Sequence, residues 1–135
     1  MRRKSKSEIR KLQDKLWELC KQIIRLRYPH FCYTCGKPIE GSNCQTGHFI
    51  PKASCPAELK YSLDNLRLQC YHCNINLGGN GSEFYRRLEQ EKGKEFVESL
   101  FARKHQTIKA DKYWYMAKID EYTKILEGVD NFSKD

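Results

Sequence analysis

Two pairs of cysteines are the residues of this chain best suited to binding a metal ion. Cys32 and Cys35 are separated by two residues, and Cys70 and Cys73 repeat that spacing. A Cys-x-x-Cys turn places two thiolates on one side of a tight loop, and two such turns form the tetrahedral shell of structural zinc sites. Redox-active dithiols are the alternative, but thioredoxin-like chemistry needs a βαβ pattern that this sequence lacks. The spacing therefore predicts one structural Zn²⁺ bound by these four cysteines.

The other cysteines have no such spacing. The chain has 7 cysteines, an odd number, and its N-terminus is too polar for a secretion signal, so we do not predict disulfides. Cys20 lies beside an apolar helix face and is predicted to be a small buried residue. Cys44 and Cys55 are left without a role. His72 lies inside the second pair and could replace a cysteine as a ligand.

Polar residues between and after the cysteine pairs form a second group. His48 lies in the run Gly-His-Phe-Ile between the pairs, Asn65 begins an Asn-Leu step just before Cys70, and Asn74 directly follows Cys73. A lone histidine on a predicted strand is usually a packing or surface residue. The position of His48 relative to these motifs favours a role in chemistry.

In this order, the motifs resemble those of HNH (ββα-metal) endonucleases, and most of all the NinG/Rap recombination endonucleases of bacteriophages. The resemblance covers about residues 31–88 and continues more weakly into the C-terminal helices. It implies that His48 takes a proton from the attacking water, that Asn65 orients this histidine, and that Asn74 binds a catalytic Mg²⁺ or Mn²⁺. An unperturbed imidazole is largely neutral at pH 7, as a general base must be.

The sequence departs from the commonest HNH pattern at one position. Many of these enzymes carry Asp or His immediately before the base, where it binds the metal, whereas this chain has Gly47. NinG-like sequences share this form, so we do not interpret it as a loss of activity. It leaves the catalytic metal shell incomplete, with three candidates for the missing ligand: Asn80, Asp64 and Glu83.

The resemblance implies hydrolysis of phosphodiester bonds in DNA that leaves 5′-phosphate and 3′-hydroxyl ends. It further suggests branched recombination intermediates, such as Holliday junctions, as substrates. The main alternative is a non-catalytic zinc-containing module that binds nucleic acid. A third possibility is a zinc domain that recruits a partner helix. The main alternative does not account for the positions of Gly-His-Phe and Asn-Leu.

These residues must be positioned by flanking elements, of which the first is a basic helix. Residues 7–27 carry apolar side chains three and four positions apart, at Ile9, Leu12, Leu16, Leu19, Ile23 and Leu26. The net charge of the chain is +8, and the first 27 residues hold 10 Lys or Arg against 3 Asp or Glu. Such a concentrated positive field suits a DNA backbone. The predicted DNA contacts are Arg2, Arg3, Lys4, Lys11 and Lys15.

The remaining elements are short strands at residues 46–50 and 66–69, and helices at residues 82–91, 94–104 and 111–128. We therefore predict a small α+β fold with a zinc-stapled ββα-metal core between a basic helix and C-terminal helices. The predicted segments are a helix at residues 1–29, a nuclease core at 30–92 and a helical region at 93–135, together forming one compact domain.

The apolar face of the first helix needs a partner. It could pack on the last helix, where Tyr115, Ile119, Tyr122 and Leu126 are spaced 4, 3 and 4 residues apart, or on a second copy in a homodimer. No stretch approaches the ~20 apolar residues needed to span a membrane. We therefore expect a cytoplasmic protein, in the host cytoplasm if a phage encodes it, with DNA and no membrane among its partners.

Overall fold

The computed structural model describes the backbone of residues 7–133 and the side chains through residue 128. The chain forms two compact units. One falls within residues 1–23 and 109–135, and the other spans residues 24–108. No helix in the described part of the chain is both long enough and apolar enough to cross a membrane.

The first unit contains α5 (Lys112–Ser133) and most of α1 (Glu8–Arg27), whose last residues, 24–27, belong to the second unit. Ser7 caps α1 by accepting a hydrogen bond from the Arg10 amide at 3.1 Å, and Asp111 caps α5 in the same way through the Trp114 amide at 3.0 Å. The helical pattern at residues 7–27 is confirmed to within a residue, whereas residues 1–6 of the predicted segment 1–29 lie outside the described residues. The predicted end of α5 at Gly128 is wrong, because this glycine keeps a helical backbone and the helix continues to Ser133.

The apolar face of α1 is buried at its centre. Gln13 Nε2 donates to the Tyr115 hydroxyl at 3.2 Å, and the Lys112 ammonium lies 3.8 Å from the Glu8 carboxylate. These contacts join α1 to α5, as the packing alternative predicted. A homodimer stays a prediction. The buried residues of the two helices in this unit are Leu16, Leu19, Cys20, Ile23, Tyr115 and Tyr122.

The second unit contains a two-stranded antiparallel sheet, formed by β1 (Gln45–His48) and β2 (Leu66–Gln69). In its register Gln45 pairs with Gln69, and His48 pairs with Leu66. We predicted that β1 would continue to Ile50. It ends at His48 because the Ile50 amide donates to the side chain of Asn65 at 2.8 Å and leaves the ladder.

Helical segments surround this sheet. The short helix α2 (Ala57–Lys60) lies between the strands, and a π-helical turn (His72–Asn76) follows β2. The helices α3 (Gly81–Lys92) and α4 (Lys94–Arg103) come next, within a residue of their predicted starts. Gly93 separates them with a φ of 91°, a backbone conformation that favours glycine.

The core of this unit joins α3 and α4 to the segment that follows β1. The rings of Phe49 and Phe84 lie 5.3 Å apart. On β2, the buried guanidinium of Arg67 lies 3.2 Å from the Glu91 carboxylate of α3. The predicted small α+β class is confirmed, and the sheet is held against helices. The buried residues of this core are Phe49, Ile50, Leu59, Phe84, Leu88, Val97 and Leu100.

Candidate functional site

The four cysteines of the two Cys-x-x-Cys pairs converge as predicted. The Sγ atoms of Cys32, Cys35, Cys70 and Cys73 all lie within 4.8 Å of one another. Those of Cys35 and Cys70 are 3.8 Å apart. Four sulfurs at ~2.3 Å from a tetrahedral zinc ion would be about 3.8 Å from each other, so this spacing fits one ion. The cluster is positioned to bind a metal and is consistent with structural zinc.

The surroundings of Cys32 favour a thiolate, the form in which cysteine binds zinc, whereas burial raises the pKa of Cys35 to about 12 and also raises that of Cys73. The Cys35 amide donates to Cys32 Sγ at 3.5 Å, and the Cys73 amide donates to Cys70 Sγ at 3.4 Å. Burial raises the pKa of Cys32, but hydrogen bonds from Thr34 and from nearby backbone amides outweigh burial and lower that pKa to about 6. One ligand of the cluster is therefore ready to bind near neutral pH.

His48 is the last residue of β1, and its ring is anchored by α2. Its Nε2 atom lies 2.9 Å from the carbonyl oxygen of Lys60. Because a carbonyl can only accept, Nε2 must donate, and a neutral ring then carries its lone pair on Nδ1. Burial lowers the pKa of His48 to about 4, and the charges of Lys52 and Lys60 act in the same direction. The imidazole is therefore neutral at pH 7 and able to accept a proton.

Asn65 is fully buried and ties together the segments on either side of His48. Its Oδ1 accepts from the Ile50 amide at 2.8 Å, and its Nδ2 donates to the carbonyls of Ile50 at 3.2 Å and Leu59 at 3.3 Å. The Phe49 amide donates to the Asn65 carbonyl at 2.9 Å. Asn65 thus fixes both the chain leaving β1 and the helix that anchors the histidine. Its importance for activity stays a prediction.

Asn74 lies in the π-helical turn, close to β1. Its Nδ2 donates to Gln45 Oε1 at 2.9 Å, which directs Nδ2 to that glutamine and leaves Oδ1 available for another partner. Amide oxygens are among the ligands that Mg²⁺ and Mn²⁺ accept. Asn74 therefore fits the metal-binding role that the resemblance implied.

Gly47 has no space for a side chain. A Cβ atom at this position would lie 1.9 Å from Gln69 Oε1 and 3.1 Å from Asn74 Oδ1. The side chain of Gln69 thus occupies the volume that a side chain at position 47 would need. A side chain at position 47 would therefore have to displace the end of Gln69.

The three candidates for the missing metal ligand have other partners. Asn80 Nδ2 donates to Cys73 Sγ at 3.7 Å, within the cysteine cluster. The Asp64 carboxylate lies 3.2 Å from Arg103, and the Glu83 carboxylate lies 2.7 Å from Arg86. None of these contacts involves His48 or Asn74.

The predicted DNA contacts are described only in part. Arg2, Arg3 and Lys4 lie outside the described residues. Lys11 and Lys15 are exposed on α1. Both ammonium groups are therefore accessible to a polyanion, and their role in DNA binding stays a prediction.

Comparison with known protein families adds an independent finding. A family model described as bacteriophage lambda NinG protein matches residues 1–131, almost the whole chain. The chain belongs to the NinG family. No curated protein and no solved structure gives a significant match.

Membership of the NinG family confirms the resemblance to phage recombination proteins and gives a recombination-related function. The matched residues include the cysteine cluster and every motif from Gly47 to Asn74. In this NinG chain, no sequence motif singles out Gln45, which contacts Asn74, or Gln69, which lies beside the Gly47 position. The signal that would reveal them is their register, because Gln45 and Gln69 are directly opposed in the sheet.

Proposed function

We propose that the chain is a metal-dependent DNA endonuclease of the HNH type. The observation that carries this proposal is the hydrogen bond from His48 Nε2 to the Lys60 carbonyl, which leaves the lone pair of a neutral ring on Nδ1. Nδ1 takes a proton from water, and the resulting hydroxide oxygen bonds to phosphorus. The bond from phosphorus to the 3′ oxygen breaks, and this oxygen gains a proton from solvent. The products are 5′-phosphate and 3′-hydroxyl ends.

Other residues position this base and the cation. Asn65 keeps His48 in place through its hydrogen bonds to the segments on either side of it. Asn74 Oδ1 would hold Mg²⁺ or Mn²⁺. When bound, the cation supplies stabilisation of the negative charge on the phosphate and on the leaving oxygen. The cysteine cluster holds the end of β2, which Cys70 directly follows, and leaves the chemistry to these residues.

We also propose branched recombination intermediates as the substrates. The NinG family is related to recombination, and four-way junctions are the branched DNA that recombination produces. The exposed lysines of α1 suit a substrate with several phosphate backbones close together.

A cleavage assay with supercoiled plasmid and a four-way junction tests the proposal. In the presence of Mg²⁺ or Mn²⁺, His48→Ala should reduce cleavage about 100-fold or more and leave DNA affinity nearly unchanged, since a general base acts on the chemical step. His30→Ala is the matched control, because its exposed ring makes the same kind of hydrogen bond, to the Arg25 carbonyl at 3.1 Å. This control should cut like the parent.

Two results would contradict the proposal. If His48→Ala cuts at the parent rate, His48 is not the base. If the parent binds junction DNA but cuts none with either cation, the chain is a non-catalytic zinc-containing module that binds nucleic acid.

A further inference from the structure

Gln69 is a fully buried polar residue that the proposed mechanism does not use. It is the last residue of β2, and its Nε2 donates to the Gly79 carbonyl at 2.8 Å and to Thr34 Oγ1 at 3.1 Å. Because a carbonyl only accepts, these contacts fix which end of the amide is nitrogen. The oxygen must therefore point the other way, toward Gly47.

The oxygen of this amide receives no hydrogen bond. Among the described residues, Gln69 Oε1 and Thr46 Oγ1 are the buried side-chain atoms without a hydrogen-bond partner. Leaving a buried carbonyl oxygen unsatisfied costs about 1–3 kcal/mol, so such atoms in folded proteins usually have a specific partner. The partner must be a donor or a cation close to Gly47.

A second oxygen converges on the same place. The point where a Cβ of residue 47 would lie is 1.9 Å from Gln69 Oε1 and 3.1 Å from Asn74 Oδ1. The amide nitrogen of Asn74 is already bound to Gln45. Two partially negative oxygens therefore approach the same point beside Gly47, and a hard cation bound by both would stabilise them.

We infer that Gln69 Oε1 is the second protein ligand of the catalytic cation and binds it together with Asn74 Oδ1. Gln69 replaces, from the neighbouring strand, the metal-binding side chain that many HNH enzymes carry immediately before the base. Gly47 is required because any side chain there would displace this oxygen. The inference rests on the proposed function, since it names a ligand of the same site.

Binding of Mn²⁺ to the zinc-loaded full chain tests the inference without cleavage. Free Mn²⁺ is measured by electron paramagnetic resonance, and zinc content is measured in each variant. Gln69→Leu removes the oxygen and the donor, whereas Gln69→Glu removes only the donor and adds charge. We expect Gln69→Leu to weaken Mn²⁺ binding about tenfold or more, and Gln69→Glu to bind Mn²⁺ more tightly than the parent.

The pair of variants separates a ligand from a structural residue. Both lose the hydrogen bonds to Gly79 and Thr34, so a purely structural role predicts that both weaken Mn²⁺ binding. Gln90→Leu and Gln90→Glu, at an exposed position of α3, are the controls for side-chain loss and for added charge. Both should bind Mn²⁺ like the parent.

Several outcomes would overturn the inference. These are a parent that binds no Mn²⁺, a Gln69→Leu variant that keeps its zinc and the parent affinity, and a Gln69→Glu variant that binds no more tightly than the parent or than Gln90→Glu. If Gln69→Leu loses zinc, the Mn²⁺ affinities of Gln69→Glu and Gln90→Glu are compared instead. Tighter binding by Gln69→Glu than by Gln90→Glu supports Gln69 as a ligand. The proposed function fails separately, through absence of cleavage, so the two failures are distinguishable.

Discussion

The ring of His48 is held at one nitrogen, and this has a spectroscopic consequence. Nε2 donates to the Lys60 carbonyl, and burial lowers the pKa of the ring to about 4. We therefore expect ¹⁵N NMR to show the Nε2–H tautomer and a ring that stays neutral as the pH falls through 6.5, the ordinary pKa of histidine. Protonation should begin only as the pH approaches 4. An Nδ1–H tautomer, or a midpoint near 6.5, would contradict this assignment.

Part of the candidate site could be predicted at the scale of residues. His48, Asn65 and Asn74 follow from the order of motifs, because each lies between the cysteine pairs or directly after the second pair. Gln69 could not be found in this way. Its contact with position 47 depends on the pairing register of two strands and on the absence of a side chain at a glycine, and neither is a property of a motif.

At the scale of elements, the cysteine cluster should determine whether the sheet forms. Two strands of four residues each are marginally stable by themselves, and metal binding contributes directly to folding. We expect about one zinc ion per parent chain. Cys70→Ser should lose most of this zinc, and circular dichroism should show loss of ordered structure.

The control for this experiment is Cys20→Ala. Cys20 is buried in α1 and is not part of the cluster, and burial raises the pKa of its thiol to about 12. This variant should keep the zinc content of the parent. Well-folded parent protein that holds less than about half an equivalent of zinc would disprove the structural role of the metal.

Two leucines of α1 provide a test of how its apolar face is used. Leu16 is 0% exposed and Leu26 is 57% exposed. Leu16→Glu places a charge in a core without a partner, so we expect a loss of about 3 kcal/mol or more in the free energy of unfolding. Leu26→Glu should change it by less than about 0.5 kcal/mol. Chemical denaturation measures both, and equal effects would mean that the helix is not packed as described.

The elements show where prediction from sequence succeeds. α1, α3 and α4 were predicted to within a residue or two, since apolar periodicity and the Gly93 break are local signals. β1 was predicted too long because a distant side chain, that of Asn65, takes the Ile50 amide. α5 was predicted too short because Gly128 can remain helical where no turn is required. The π-helical turn at His72–Asn76 has no periodic pattern in the sequence.

At the scale of the whole molecule, the excess of positive charge should govern DNA binding. Changing Lys11 and Lys15 together to Gln should weaken junction binding and reduce the slope of log affinity against log salt by about 2. Changing Lys92 and Lys94 together to Gln removes the same amount of charge from exposed positions on α3 and α4, outside the basic helix. This control should leave the slope nearly unchanged. Equal effects of the two pairs would show that net charge, and not the basic helix, determines affinity.

The contact between Gly47 and Gln69 also constrains how this chain can evolve. A first mutation that adds a side chain at position 47 would collide with Gln69 Oε1, which lies 1.9 Å from the new Cβ. An acidic residue before the histidine is therefore compatible with this packing only if the end of Gln69 moves away or residue 69 becomes shorter. Aligned descendants of this chain should accordingly show the two positions changing together, with position 69 shortened in any sequence that carries a side chain at position 47.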